Sequence, residues 1–161
     1  GIENARFLGK MLQGMADNQI RTAGDYDKVI YDLGKKQIGL TNEIAAMKQK
    51  RTAYAAAAKH LQICRTYKSV WMEYVAKPLN QKTEYFNQHS MELQAYRTAA
   101  AKLEKEGIDQ SVEIDKVNNL AQSLERKIND LDKQLRESNL QEQDYRQERK
   151  TLTTIQEDLF E

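Results

Sequence analysis

The sequence predicts an all-α fold, an elongated antiparallel helical bundle or coiled coil of about four helices, two of them long. The main observation is a heptad pattern, in which a core-type side chain recurs every three or four residues from Tyr26 to Leu61. The 161 residues include a single proline, Pro78, and no stretch alternates polar and apolar residues as a strand does. Charged residues make up 30% of the chain, which is typical of long solvated helices.

A short first helix is predicted over about residues 3–18, and a polar loop follows it as far as Gly24. These segments form a predicted N-terminal part, residues 1–24. The second helix is predicted over about residues 25–76, with Asp25 as its N-cap. Gly34 and Gly39 each weaken a helix by roughly 1 kcal/mol relative to alanine. A break near residues 34–39 is therefore an alternative to one continuous helix.

Pro78 ends the second helix, because proline disfavours helical geometry at the residue before it and cannot continue the hydrogen-bond ladder. The third helix is predicted over about residues 81–106, with Gly107 as its C-cap. Since the link is short, the second and third helices should form an antiparallel hairpin. The fourth helix is predicted over about residues 111–159, in either direction relative to the second. Residues 25–161 would thus form a long-helix bundle.

The heptad positions also predict the core. A narrow apolar stripe must be covered by the rest of the chain or by a second chain, so both arrangements remain open. In the last helix the pattern fades at Ser138 and Glu142 and resumes sparsely as far as Leu159 and Phe160. The residues predicted to form the core are Leu33, Leu40, Ile44, Met47, Tyr54, Leu61, Trp71, Phe86, Leu93, Tyr96, Leu124, Ile128, Leu131 and Leu135.

The net charge of +1 predicts no global attraction to nucleic acid or membrane, but the charges are unevenly distributed. Between Leu33 and Met72 there are eight basic residues and one acidic residue, Glu43. A basic face of the second helix could contact DNA phosphates, or it could face the mildly acidic fourth helix or solvent. The residues predicted for nucleic-acid contact are Lys48, Lys50, Arg51, Lys59, Arg65 and Lys68.

Other kinds of site are poorly supported by the sequence. His60 and Cys64 are four residues apart on one predicted helix, but zinc needs three or four ligands, and His89 is the only other histidine. No phosphate-binding loop or nucleophile motif is present, so we expect no catalytic residue, metal, cofactor or small-molecule ligand in this chain. A single cysteine and no long apolar run favour a cytoplasmic protein without membrane contact.

The stretch AKHLQICRTYKSVWMEYVAKPLNQKTEYFNQHSMELQAYRTAAAKLEKEG resembles the helical C-terminal region of relaxases. These are the mobilisation nucleases of Gram-positive plasmids and conjugative transposons. The opening MLQGMADNQIRTAGDYDKV is also similar to that family's short helix, loop and helix start. Asp109-Gln110-Ser111 stands where the family pattern has a proline. The resemblance rests on Arg65, Tyr67, Val70, Tyr74, Phe86, His89, Ala99, Ala100, Leu103 and Gly107.

The resemblance implies that the chain, which begins at Gly1 without methionine, is the tail of a longer protein. That protein would nick DNA at a transfer origin through a tyrosine in an upstream catalytic domain. The tail would be non-catalytic and would bind proteins of the transfer machinery or associate with itself, with DNA contact as a further expectation. Independently of the family, the alternative is a coiled-coil scaffold, adaptor or oligomerisation module.

Overall fold

The computed structural model describes the backbone of residues 1–160 and the side chains of residues 1–158. Over this range the chain forms helices and no β-strand, which confirms the all-α class. Of the two long helices, α2 has 54 residues and α5 has 47. The side chains of Leu159 and Phe160, which were predicted to be apolar contact positions, lie outside the described residues. The helices are α1 (Ile2–Asp17), α2 (Ala23–Ala76), α3 (Leu79–Gln88), α4 (Ser90–Lys105) and α5 (Ile114–Phe160).

Helix α2 begins two residues earlier than predicted, and its cap is Thr22, not Asp25. The Thr22 hydroxyl accepts a hydrogen bond from the Asp25 N–H at 3.1 Å. The Asp25 carboxylate in turn accepts the N–H groups of Thr22 and Arg21 at 3.1 and 2.8 Å. This reciprocal arrangement is a capping box, and its backbone donors lower the pKa of Asp25. The helix then runs unbroken through Gly34 and Gly39, so the alternative of a break there is wrong.

The helix predicted over residues 81–106 is divided into two by His89. Its backbone leaves helical geometry, with φ of −124° and ψ of 29°. No proline or glycine marks this position, and the apolar spacing continues across it, which is why the sequence predicted a single helix. The interruption separates α3, whose Tyr85 ring lies 6.4 Å from that of Tyr74, from α4, whose Tyr96 ring stacks on Trp71.

Helices α1 and α4 end in the same way, in a Schellman motif with a left-handed residue just beyond the helix. In α4 that residue is Gly107, at φ of +70°, and the Ile108 N–H reaches the Leu103 carbonyl at 2.9 Å. In α1 it is Gln19, at φ of 58°, and the Ile20 N–H reaches the Met15 carbonyl at 2.9 Å. The predicted end at Gly107 is confirmed.

The chain forms two compact units, one from residues 1–45 together with residues from 129 onward, the other from residues 46–128. These units do not follow the predicted division after residue 24. In the first unit, α1 and the start of α2 share one core built on Met11, Ile20 and Tyr26, so the N-terminal helix is not a separate part.

The first unit is held together by this core and by a surface ion pair. Tyr145 and Leu152 of α5 pack against the buried Tyr26 cluster. The Arg149 guanidinium contacts both carboxylate oxygens of Asp27, at 2.7 and 3.3 Å. Further along, Leu40 and Ile44 of α2 are buried, as is Ser138 of α5.

In the second unit, α4 and the beginning of α5 cover one side of α2. Its core combines residues of all three helices, including Leu61, Leu103 and Val117. Arg51 forms an ion pair with Glu125, and the Arg65 guanidinium donates to the Val112 carbonyl at 2.7 Å. The residue number rises from Arg51 to Arg65 along α2, while that of their partners falls from Glu125 to Val112. The two segments therefore run antiparallel here. The hairpin around Pro78 is also antiparallel, as predicted.

The predicted core residues are all at least partly buried. Positions that recur in helical register and face neighbouring helices lose most of their solvent contact, whereas longer side chains at the edges keep some. The buried ones are Leu40, Ile44, Leu61, Leu93, Tyr96, Leu124 and Ile128, and the half-buried ones are Leu33, Met47, Tyr54, Trp71, Phe86, Leu131 and Leu135.

Between residues 1 and 160, no helix combines sufficient length with a sufficiently apolar stretch to pass through a membrane.

Candidate interaction groove

The six basic residues predicted for nucleic-acid contact have different surroundings in the second unit. Two arginines already have partners within the unit: Arg51 pairs with Glu125, and Arg65 donates to a backbone carbonyl. The lysines are exposed to solvent. The candidates for phosphate contact are therefore reduced to Lys48, Lys50, Lys59 and Lys68.

These four lysines also do not share one face of α2. An α-helix turns about 100° and rises about 1.5 Å per residue. Lys50 and Lys68 accordingly lie at nearly the same angle, but about 27 Å apart along the axis. Lys48 and Lys59 lie near each other in angle, roughly 160° around the helix from Lys50. On ideal helix geometry the four lysines therefore do not form one continuous face of α2, and their contact with nucleic acid stays a prediction.

His60 and Cys64, considered above as a metal pair, lie in different surroundings. Cys64 is fully buried in the core of the second unit, and burial raises the pKa of its thiol. His60 is half-buried, and its Nδ1 atom has no hydrogen-bond partner among the described residues. Among residues 1–158, no three His, Cys, Asp or Glu side chains come together as metal ligands would.

A shallow groove runs between α2 and α4 in the second unit. One wall is formed by Lys59, His60 and Ile63 of α2. The other wall is a helical stripe of α4, from Met91 to Lys102. Met91 is 78% exposed, so its large apolar side chain is available for contact at this groove. The α4 residues of the lining are Met91, Gln94, Ala95, Thr98, Ala99 and Lys102.

The groove has one sign of charge. Lys59 and Lys102 line it, and its lining includes no acidic residue. The α2 wall belongs to a long segment, Ile44 to Met72, that contains no aspartate or glutamate. The lining therefore combines apolar and uncharged polar side chains with two lysines, and it includes no carboxylate to neutralise them.

A second exposed surface lies where α2 turns into α3. Met72, Val75 and Leu79 are all more than half exposed, and Leu79 is 87% exposed. They follow one another at intervals of three and four residues around Pro78. We call these three residues the apolar tip. Single exposed apolar side chains are common, whereas exposed apolar groups that lie close together mark candidate interaction sites.

Comparison with known proteins identifies no relative: the chain matches no family model, no curated protein and no solved structure at a significant level.

Lys102 and Met91 were not predicted from the sequence to be parts of a site. Both occupy ordinary positions of an alanine-rich helix, and their importance comes from the proximity of α4 to Lys59 and His60 of α2. One signal was present in the sequence: Met91, Ala95, Thr98 and Lys102 recur at intervals of three and four residues, which places them on one face of α4.

Proposed function

We propose that this chain is a non-catalytic helical module that binds a protein of the DNA-transfer machinery, as the C-terminal region of a conjugative relaxase. The support for the relaxase setting is the sequence resemblance between residues 58 and 107. The observation that carries the binding role is the apolar tip, Met72, Val75 and Leu79.

The apolar tip supports protein contact on energetic grounds. Covering apolar surface is worth about 25 cal/mol per Å². Large side chains left in water at a helical turn therefore favour a partner that covers them. The turn itself is firmly held, since the Tyr85 hydroxyl donates to the Glu73 carboxylate at 2.7 Å and the ring of Tyr85 packs near that of Tyr74. A rigid apolar surface loses little conformational entropy when it binds.

The test uses the full-length parent protein with Met72, Val75 and Leu79 all changed to serine. Plasmid mobilisation should fall by about tenfold or more, while nicking of the transfer origin by the purified protein should be unchanged. The matched control changes Tyr31 and Ile38 to serine in the same way. Both are exposed apolar residues of α2 in the first unit.

The control variant should mobilise at the normal frequency. Normal mobilisation by the tip variant would contradict the binding role. The relaxase setting has a separate test, because it requires a domain with a catalytic tyrosine and a histidine cluster upstream of residue 1. An upstream reading frame without such a domain would leave the scaffold or adaptor alternative.

DNA contact is a second candidate function, favoured by the exposed lysines of α2 and the absence of acidic residues between Ile44 and Met72. It is tested by electrophoretic mobility shift with single- and double-stranded DNA at about 50 mM and about 200 mM salt. Phosphate contact predicts a shift at the lower salt that is lost at the higher salt. No shift at the lower salt would exclude this function.

A further inference from the structure

We propose that the groove between α2 and α4 binds an acidic amphipathic helix of a partner protein. This inference rests on the proposed function, since it specifies the chemistry of a partner. It is carried by the shape of the groove, its charge, and the exposure of Met91.

The shape fits a helix. Two antiparallel helices in contact leave a groove along their line of contact, and a third helix can lie in it at an interaxial distance of about 8–10 Å. On the α4 side the lining includes three small side chains, Ala95, Thr98 and Ala99. Small residues let the backbone of an incoming helix approach closely, while Ile63 and Met91 supply apolar contacts.

The charge selects the partner. Lys59 on α2 and Lys102 on α4 line opposite walls. A helix that lies between them meets one cation on each side, so carboxylates that flank its apolar stripe would be paired on both sides. A basic helix would be repelled from both walls. Charge complementarity of this kind speeds association and rejects partners of the wrong sign.

The lining argues against nucleic acid as the occupant of this groove. Single-stranded bases bind by stacking on aromatic side chains, and His60 provides the single aromatic ring in the described lining. Helix-binding grooves instead use adaptable apolar residues, often methionine, as here with Met91.

The test measures fluorescence anisotropy of a labelled helical peptide added to the 161-residue chain. The peptide has the 16-residue length of α4 and carries a leucine stripe flanked by glutamates. A second peptide has lysine in place of every glutamate. The acidic peptide should bind saturably and more weakly as salt is raised, whereas the lysine peptide should not bind.

Variants of the groove residues show where the acidic peptide binds. Lys59→Glu combined with Lys102→Glu should weaken binding of the acidic peptide by about tenfold or more and create binding of the lysine peptide. The matched control is Lys116→Glu combined with Lys127→Glu, the same charge change at exposed positions of α5 outside the lining, and it should have an effect of under about twofold. Met91→Ala should also weaken binding of the acidic peptide. The helicity of the chain should not change, because Met91 is mostly exposed to solvent.

Three results would overturn the inference: no saturable binding of the acidic peptide, equal binding of both peptides, or equal losses in the groove and control variants. Displacement of the peptide by single-stranded DNA, with the loss of DNA binding in the groove variant, would assign the groove to nucleic acid. If the peptide fails to bind but the tip variant abolishes mobilisation, the groove inference falls and the proposed function stands.

Discussion

At the scale of single residues, the most informative position is Gln19. It has φ of 58°, a conformation that costs a residue with a Cβ atom about 1–2 kcal/mol. The equivalent position after α4 is Gly107, where the same conformation costs little. The molecule thus contains the same helix end twice, once with the favoured residue and once without it.

We expect Gln19→Gly to increase the free energy of unfolding by about 1 kcal/mol, because it removes the steric cost of left-handed backbone. Gly107→Ala is the reverse experiment and should decrease it by about the same amount, although nothing lies within 4 Å of the added Cβ atom. Urea denaturation monitored by circular dichroism measures both. A destabilised Gln19→Gly protein would show that the Gln19 side chain makes a contact worth more than the backbone cost.

Tyr26 and Glu148 are interacting titratable groups of the first unit, and the pKa values of both are raised. Burial, and then the Glu148 charge, raise the pKa of the Tyr26 hydroxyl, which is inaccessible and makes no hydrogen bond of normal geometry. Burial, followed by repulsion from Asp144, raises the pKa of Glu148. The folded chain therefore holds the Glu148 proton more tightly than the unfolded chain does.

Because the folded-state pKa of Glu148 is raised, its contribution to stability is greatest in acid and decreases as pH rises through that pKa. Glu148→Gln should therefore be more stable than the parent at pH 7, by about 0.5 kcal/mol. This advantage should vanish below about pH 4, where the carboxyl is protonated in both states. The control is Glu137→Gln on the same helix, at an exposed position. An advantage of Glu148→Gln that does not change with pH would refute the explanation.

At the scale of the helices, α2 shows how well a heptad pattern predicts local structure and where it fails. The pattern predicted a long helix ending before Pro78, and the helix ends at Ala76. It did not identify Thr22 as the cap, because aspartate has a higher cap propensity than threonine and the two residues hydrogen-bond to each other in a capping box. It also missed the break at His89, which no glycine or proline marks.

The glycines of α2 provide a prediction at this scale. Gly34 and Gly39 lie inside a continuous helix, and a Cβ atom added at either would meet nothing within 4 Å. Gly34→Ala and Gly39→Ala should each raise the free energy of unfolding by about 0.5–1 kcal/mol, and together by nearly the sum. Thermal and urea denaturation measure the change. A loss of stability at either position would mean that the helix bends there in solution and needs the glycine.

At the scale of the whole chain, the sequence left open whether one chain or two cover the heptad positions of α2. In each unit these positions are covered by other helices of the same chain, as the burial of Tyr26, Leu40, Ile44 and Leu61 shows. The coverage could not be predicted, because the same apolar stripe can pack within a chain or between chains with equal burial. For the same reason the groove residues were not recognisable in the sequence.

We therefore expect the chain to sediment with the mass of a single copy at micromolar concentration, since its core positions have no need of a second copy. Sedimentation velocity across a hundredfold range of concentration, on the order of 1–100 µM, measures this. The apolar tip variant is the control, because removal of exposed apolar groups should leave the sedimentation coefficient unchanged. A concentration-dependent shift to twice the mass, abolished in that variant, would show self-association through the tip.

The sequence contains one tryptophan, Trp71, and its indole stacks on the Tyr96 ring with centroids 5.0 Å apart. The two rings belong to α2 and α4, so the emission wavelength of this single fluorophore reports directly whether α4 is docked on α2. Tryptophan emission, excited selectively over that of the eight tyrosines, thus gives a label-free signal from the contact between α2 and α4 alone.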